Sequence, residues 1–248
     1  MERTNVFSES DAKGTALVTG GARRIGRAIA LSLADKGYSI ALHYHTSKAE
    51  AEDLASEIIG KGVECRLFRC DFNDPADVGS LIPSVFEHFP DCSLLINNAS
   101  VFERVRLLDT DTDHFDRQFN VNFRTPFFLS RDFAKHCTEG QIINILDTKI
   151  MKMQIAYFAY TLSKKALSEF TLMAAKELGP RIRVNGISPG LILPSSEMST
   201  EDFTRMGLRI PLGKTGNPAN VVSAVHFLLE NPFITGEIIL VDGGEHLV

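Results

Sequence analysis

Short, continuously apolar runs alternate with longer segments of helical period along almost the whole chain, and few architectures accept that order. Residues 15–19 read as a buried strand. Residues 24–36 read as a helix with Ile25, Ala28, Ile29 and Leu33 on one face and Gly37 as its stop. Strand-like runs recur at 39–44, 63–70, 93–96, 141–146, 181–187 and 237–241. Helical patterns fill 48–60, 75–88, 113–137, 157–178 and 218–229 between them. Two of these helices carry an internal proline. Pro83 is expected to kink or interrupt the first, and Pro126 to bend or break the second. Strands separated by helices imply parallel βαβ units, with strands apolar throughout because both sheet faces are covered. The expected fold is therefore α/β, a doubly wound parallel sheet of Rossmann type in a single domain over residues 14–248, after a flexible tail at 1–13. Only residues 190–216 break the alternation. Pro194, Ser195, Ser196, Pro211 and two late glycines make that stretch the candidate mobile lid over a substrate.

A chain of 248 residues with 44% apolar residues can fill one large core. Its net charge of −5 argues against a nucleic-acid binder, which would carry a basic face. Cys65, Cys70, Cys92 and Cys137 are scattered with no C-x-x-C, so reduced thiols in a cytoplasmic protein are expected, with no metal site. The polar start lacks the apolar core of a secretory signal, and no apolar run has the length of a membrane span.

The turn after the first strand reads Thr19-Gly20-Gly21-Ala22-Arg23-Arg24-Ile25-Gly26. Glycines between a strand and a helix permit a tight turn and let backbone N–H groups approach a pyrophosphate at the helix N-terminus. Arg24 stands where the middle glycine of the usual fingerprint would fall. The second strand should end beside the adenosine ribose, where a carboxylate would favour NAD. Here the chain reads His43-Tyr44-His45-Thr46-Ser47-Lys48, with no acid before Glu50. His45, Thr46 and Ser47 can donate to a 2′-phosphate, and Lys48 and Arg24 can add charge, so the expected cofactor is NADPH. Asp71, after the third strand, can accept from an adenine amino group or can cap a turn with Asn73 and Asp74.

Tyr160 and Lys164 share a helix face, an arrangement in which the ammonium is expected to lower the phenol pKa and make it a proton donor near neutrality. Tyr157 lacks such a partner, since Thr161 lies four residues on. Asn97-Asn98-Ala99-Ser100, Asp147 and Pro189-Gly190 end the fourth, fifth and sixth strands, where ligands sit in open α/β sheets. Together with Asn122, Arg183-Val184-Asn185 and Val241-Asp242-Gly243-Gly244, these motifs resemble the short-chain dehydrogenase/reductase family from Thr15 to Gly244.

Within that family the chain is most similar to the pteridine reductases. The closer resemblance rests on Arg24, on Leu42-His43-Tyr44-His45, on Ser100 and Phe102, on Val184-Asn185-Gly186 running into Pro189-Gly190-Leu191, and on Asp147 in place of the usual serine. It implies that Phe102 stacks on a pterin, that Ser100 and Arg24 hold its polar groups or phosphate, and that Asp147 and Tyr160 deliver a proton. Lys164 and Asn122 would support ribose and water. It also implies cofactor contacts at Gly20, Ile25, Gly26, Asn98, Ala99, Pro189 and Gly190, and a homotetramer built through the long helices. Relatives often place an arginine after His-Tyr-His; here it is Thr46.

Reducing a C=N bond needs hydride at carbon and a proton at nitrogen, and a carboxylate suits a nitrogen-rich ring as a serine suits a carbonyl. Pterins (dihydropterin, dihydrofolate or a dihydromonapterin-type compound, with oxidised pterins as further candidates) are therefore the expected substrates. A carbonyl reductase and a non-catalytic nucleotide binder are the competing readings. Two residues also have plain structural alternatives: Phe102 as a core aromatic and Asp147 as a strand-end cap.

Overall fold

The computed structural model describes residues 13–195 and 198–248. The expected tail therefore falls, apart from Lys13, outside the described residues, as does Ser196 of the expected lid. Seven parallel strands form one sheet in the order β3-β2-β1-β4-β5-β6-β7. They are β1 (Thr15–Val18), β2 (Ser39–Tyr44), β3 (Cys65–Arg69), β4 (Cys92–Asn97), β5 (Gly140–Ile145), β6 (Ile182–Pro189) and β7 (Ile238–Val241). The helices between them are α1 (Arg24–Asp35), α2 (Lys48–Ile59), α3 (Pro75–His88), α4 (Thr112–Phe119), α5 (Thr125–His136), α6 (Phe158–Leu178), α7 (Thr200–Gly207) and α8 (Pro218–Glu230). Strand order reverses between β1 and β4, so the crevice at their carboxyl ends is the ligand-binding position of such a sheet.

The pleat of each strand feeds two cores. Ala16, Val18, Ile40, Leu42 and Ile96 pack with α1, α2 and α8 on one face. Leu17, Ala41, Leu95 and Ile142 pack with α3, α5 and α6 on the other. Complete burial is worth about 1.5–3 kcal/mol for each large apolar side chain, and it fixes strand register because a one-residue slip would exchange the two faces.

Near-continuous burial holds for the central strands, β5 even burying Gln141 and Asn144, but not for β3, where of Cys65-Arg66-Leu67-Phe68-Arg69 only Phe68 is buried. As an edge strand it has one neighbour and a wetter face. Pro83 does not interrupt α3, which runs unbroken from Pro75 to His88. One lost N–H bond is outweighed by burial of Val78, Leu81, Ile82 and Val85. The break expected near Pro126 lies earlier, as a π-helical turn at Asn120–Arg124, and Pro126 sits harmlessly in the first turn of α5. The stretch 190–216 is not all loop, since it contains α7, capped by the Ser199 hydroxyl. All four cysteines are free, and burial pushes the Cys65, Cys70 and Cys92 thiols up to about 12, so these three are inert thiols rather than nucleophiles.

Candidate active site

The glycine turn is held by a buried histidine, His43, whose role the sequence does not reveal. His43 stacks on Phe72 at 4.3 Å. Its Nδ1 accepts from the Gly20 N–H at 3.0 Å, and its Nε2 donates to the Cys70 carbonyl at 3.1 Å. Burial lowers its pKa to about 4, so the ring is neutral and can act as donor on one edge and acceptor on the other. The only available signal was a histidine inside an otherwise apolar strand.

From the other side of the crevice, Asn98 Nδ2 donates to the Thr19 and Gly20 carbonyls at 2.8 and 3.1 Å. Gly20 takes φ +59, and a Cβ there would lie 2.8 Å from the Ala99 Cα. Arg24 adopts φ +56 at the place where a glycine was missed, a conformation costing roughly 1–2 kcal/mol in a residue with a Cβ. Its guanidinium donates to the Pro194 carbonyl at 2.8 Å, joining the turn to the 190–216 stretch. The first turn of α1 has no acidic residue and no side-chain cap, so its amides are open to an anion.

His45, Thr46 and Ser47 line the same cleft, which encloses about 750 Å³. Asp71 fills the turn role of its two readings: Oδ1 accepts from the Asn73 backbone and side chain, and Oδ2 lies 3.5 Å from His45 Nε2. Those bonds from Asn73 hold its carboxyl below the usual range. Glu50 pairs with Arg23.

At the other end of the cleft the Tyr160 hydroxyl donates to Asp147 Oδ2 at 2.8 Å. Asp147 Oδ1 caps the 3-10 turn after β5 by accepting from the Lys149 N–H, the structural role the sequence left open, while Oδ2 faces Tyr160. Lys149 Nζ stands 3.4 Å from the same oxygen.

The expected lowering of the phenol pKa by Lys164 is not what the structure shows. Tyr160 is raised well above its ordinary value, first by burial and then by the Asp147 charge, with the Ser100 hydroxyl pulling weakly the other way. Lys164 spends its ammonium on the Ile145 carbonyl at 2.8 Å, and burial brings its own pKa down to about 8.

Phe102 is not a core aromatic. It is 38% exposed, stacks on Tyr157 at 4.4 Å, and meets the Tyr160 ring edge-on at 4.8 Å. Tyr157, set aside in the sequence for want of a lysine partner, thus walls the cleft. Lys149, also unforeseen, lies 5.1 Å from the centre of the Phe102 ring. Gly20, Ile25, Gly26, Ala99, Ser100, Pro189 and Gly190 line the cleft with them. Asn122 stands behind it, where its Oδ1 accepts from Ser100 Oγ at 2.8 Å and from the Val101 N–H at 3.0 Å.

Known proteins resemble this chain over nearly its whole length. Residues 20–246 match the family model described as enoyl-(acyl carrier protein) reductase. FolM alternative dihydrofolate reductase 1 of Brucella suis, solved in complex with NADP, is 38% identical, with a TM-score of 0.92 over 96% of this chain and 97% of that one. Pteridine reductase 1 of Leishmania tarentolae is 32% identical over 94% of this chain and 96% of its own length. Versicolorin reductase stcU of Emericella nidulans is also 32% identical, over 92% and 94%.

Proposed function

The chain belongs to the short-chain dehydrogenase/reductase family of oxidoreductases, and from that premise we propose that it is an NADPH-dependent reductase of pterins, converting dihydropterin or dihydrofolate to the tetrahydro form. One observation carries the reading: the Tyr160 hydroxyl is bonded to a carboxylate, Asp147, beside the exposed ring of Phe102.

The residues present fit the cofactor. Gly20 leaves room for close approach at the crevice, α1 opens toward it without an acid or a cap, and β2 ends in His45, Thr46 and Ser47 rather than a carboxylate. NADPH, when bound, supplies the hydride. Lys164 holds the ribose end, Asn122 braces the site from behind the cleft through Ser100 and Val101 rather than holding water with its side chain, and Gly20, Arg24, Ile25, Gly26, Asn98, Ala99, Pro189 and Gly190 frame the dinucleotide.

Phe102 aligns the flat pterin at little entropic cost, with Arg24 and Ser100 on its polar edge. Tyr160 keeps its proton at rest, because a phenolate beside Asp147 would place two negative charges in a buried site. The pair therefore gives a proton to the substrate nitrogen while taking one from solvent. Within the stretch after β6, residues 190–195 and 198–216 act as the lid, tied at rest through Arg24 to Pro194.

The same reading has the enzyme work in the cytoplasm as a homotetramer. Its support is the exposed apolar surface of α4, α5 and α6, where Phe115, Phe127, Leu162 and Met173 are 41%, 38%, 44% and 71% exposed. Among the described residues no helix is long and apolar enough to cross a membrane.

The test is loss of NADPH absorbance with 7,8-dihydrobiopterin, 7,8-dihydrofolate and simple ketones, with NADH in parallel. Turnover of the pterins alone is expected. Turnover of ketones alone would replace this reading with carbonyl reduction.

A further inference from the structure

We infer that Glu103, acting through Gln118, is a positioning residue for the active site: it sets the direction of a hydrogen-bond chain that ends at Ser100 and leaves that residue's lone pairs for the substrate. The inference rests on Tyr160 as the proton donor, not on the identity of the substrate.

Glu103 immediately follows Phe102 in the irregular segment between β4 and α4. Its Oε2 meets three groups on one face of α4: His114 Nδ1 at 3.0 Å, Arg117 at 2.5 Å and Gln118 Nε2 at 3.3 Å. A carboxylate can only accept, so Gln118 must turn its NH2 toward Glu103 and its oxygen away. That oxygen accepts from Asn122 Nδ2 at 3.1 Å. Asn122 Nδ2 also donates to the Val101 carbonyl at 3.0 Å, which leaves Asn122 Oδ1 to accept from Ser100 Oγ and the Val101 N–H.

The carboxylate dictates the Gln118 amide, and Gln118 together with the Val101 backbone dictates the Asn122 amide. The Ser100 proton is held on Asn122 Oδ1. Ser100 therefore faces the cleft as an acceptor, suited to a ring N–H or amino group. The same contacts clamp Ser100, Val101 and Glu103 to α4 and the π-helical turn, and so fix Phe102 between them.

The experiment combines activity with a spectroscopic reporter. The chain has no tryptophan, so Phe102→Trp gives a single emitter at the stacking position. Glu103→Ala and Gln118→Leu are made in the wild-type and reporter backgrounds, and Glu103→Gln, which keeps an acceptor oxygen, is the conservative variant. With whichever substrate the wild type reduces, Glu103→Ala and Gln118→Leu are expected to raise KM about tenfold or more with NADPH affinity unchanged, and Glu103→Gln to recover most of the loss. The reporter should shift to the red and become more accessible to a quencher in Glu103→Ala and Gln118→Leu. Unchanged KM and unchanged emission in folded variants would overturn the positioning role. A wild type that reduces ketones but no pterin would overturn the pterin reading alone, and the same variants would still decide this one. A wild type inactive on every substrate leaves the reporter and NADPH affinity to decide, with the same two outcomes.

Discussion

Tyr160 donates its proton to Asp147 rather than standing free beside Lys164, and that bond governs how each residue responds to substitution. Tyr160→Phe removes the proton donor and keeps the ring against Phe102. Turnover should fall by about 10²–10⁴-fold with NADPH affinity unchanged, as single-turnover and binding measurements will show. Lys164 carries a charge that its burial opposes. With a pKa of about 8 it is an ammonium below that pH and neutral above it. Loss of the ammonium removes the cation that offsets Asp147, so kcat/KM should decline as pH rises through about 8. Lys164→Met should be weakly active and lack that limb. An alkaline limb unchanged in Lys164→Met would assign it to another group.

At the scale of elements, most of the frame was legible because its signals are local. Gly37 and Gly60 close helices, and the apolar runs at β1, β2, β4 and β5 coincide with central strands. What escaped depends on partners far away in sequence. Nothing near His43 reveals that Gly20, Cys70 and Phe72 converge on it. Nothing in Tyr157 foretells that Phe102 will lie on its face. The reversed effect on the Tyr160 pKa has the same origin, since spacing put an ammonium nearby but could not show it bonded to the Ile145 carbonyl. Depth of burial, which sets the sign, is a tertiary quantity.

His43 also gives the glycine turn a pH dependence. Its folded pKa of about 4 lies below its unfolded value of 6.5, so the folded state resists taking up a proton that the unfolded chain accepts. The contribution is present above pH 6.5 and is lost as pH falls through 4. A shift of that size corresponds to roughly 3 kcal/mol at most. Urea midpoints should fall from pH 7 to pH 4, and less steeply in His43→Asn. Parallel slopes for the two proteins would remove His43 from the account.

At the scale of the whole molecule, the aromatic stripe is the feature still without a partner. Phe115, Phe119, Phe123 and Phe127 recur every fourth residue across α4, the π-helical turn and α5, and Phe127 reaches Phe170 of α6 at 5.1 Å. Burying such a stripe between copies accounts for an apolar surface that a monomer would leave in water. If the proposed tetramer uses this stripe, Phe127→Glu will reduce the mass measured by light scattering to a smaller species with the fold retained; an unchanged mass would remove the stripe from the interface.

The central claim is that Asp147 selects a ring nitrogen over a carbonyl oxygen, and the most direct measurement is kcat/KM for 7,8-dihydrobiopterin and for a ketone panel in wild type and Asp147→Ser. The account predicts pterin turnover in the wild type, a loss of about 10²-fold or more in Asp147→Ser, and any gain confined to the ketones. Pterin turnover unchanged in Asp147→Ser would contradict it.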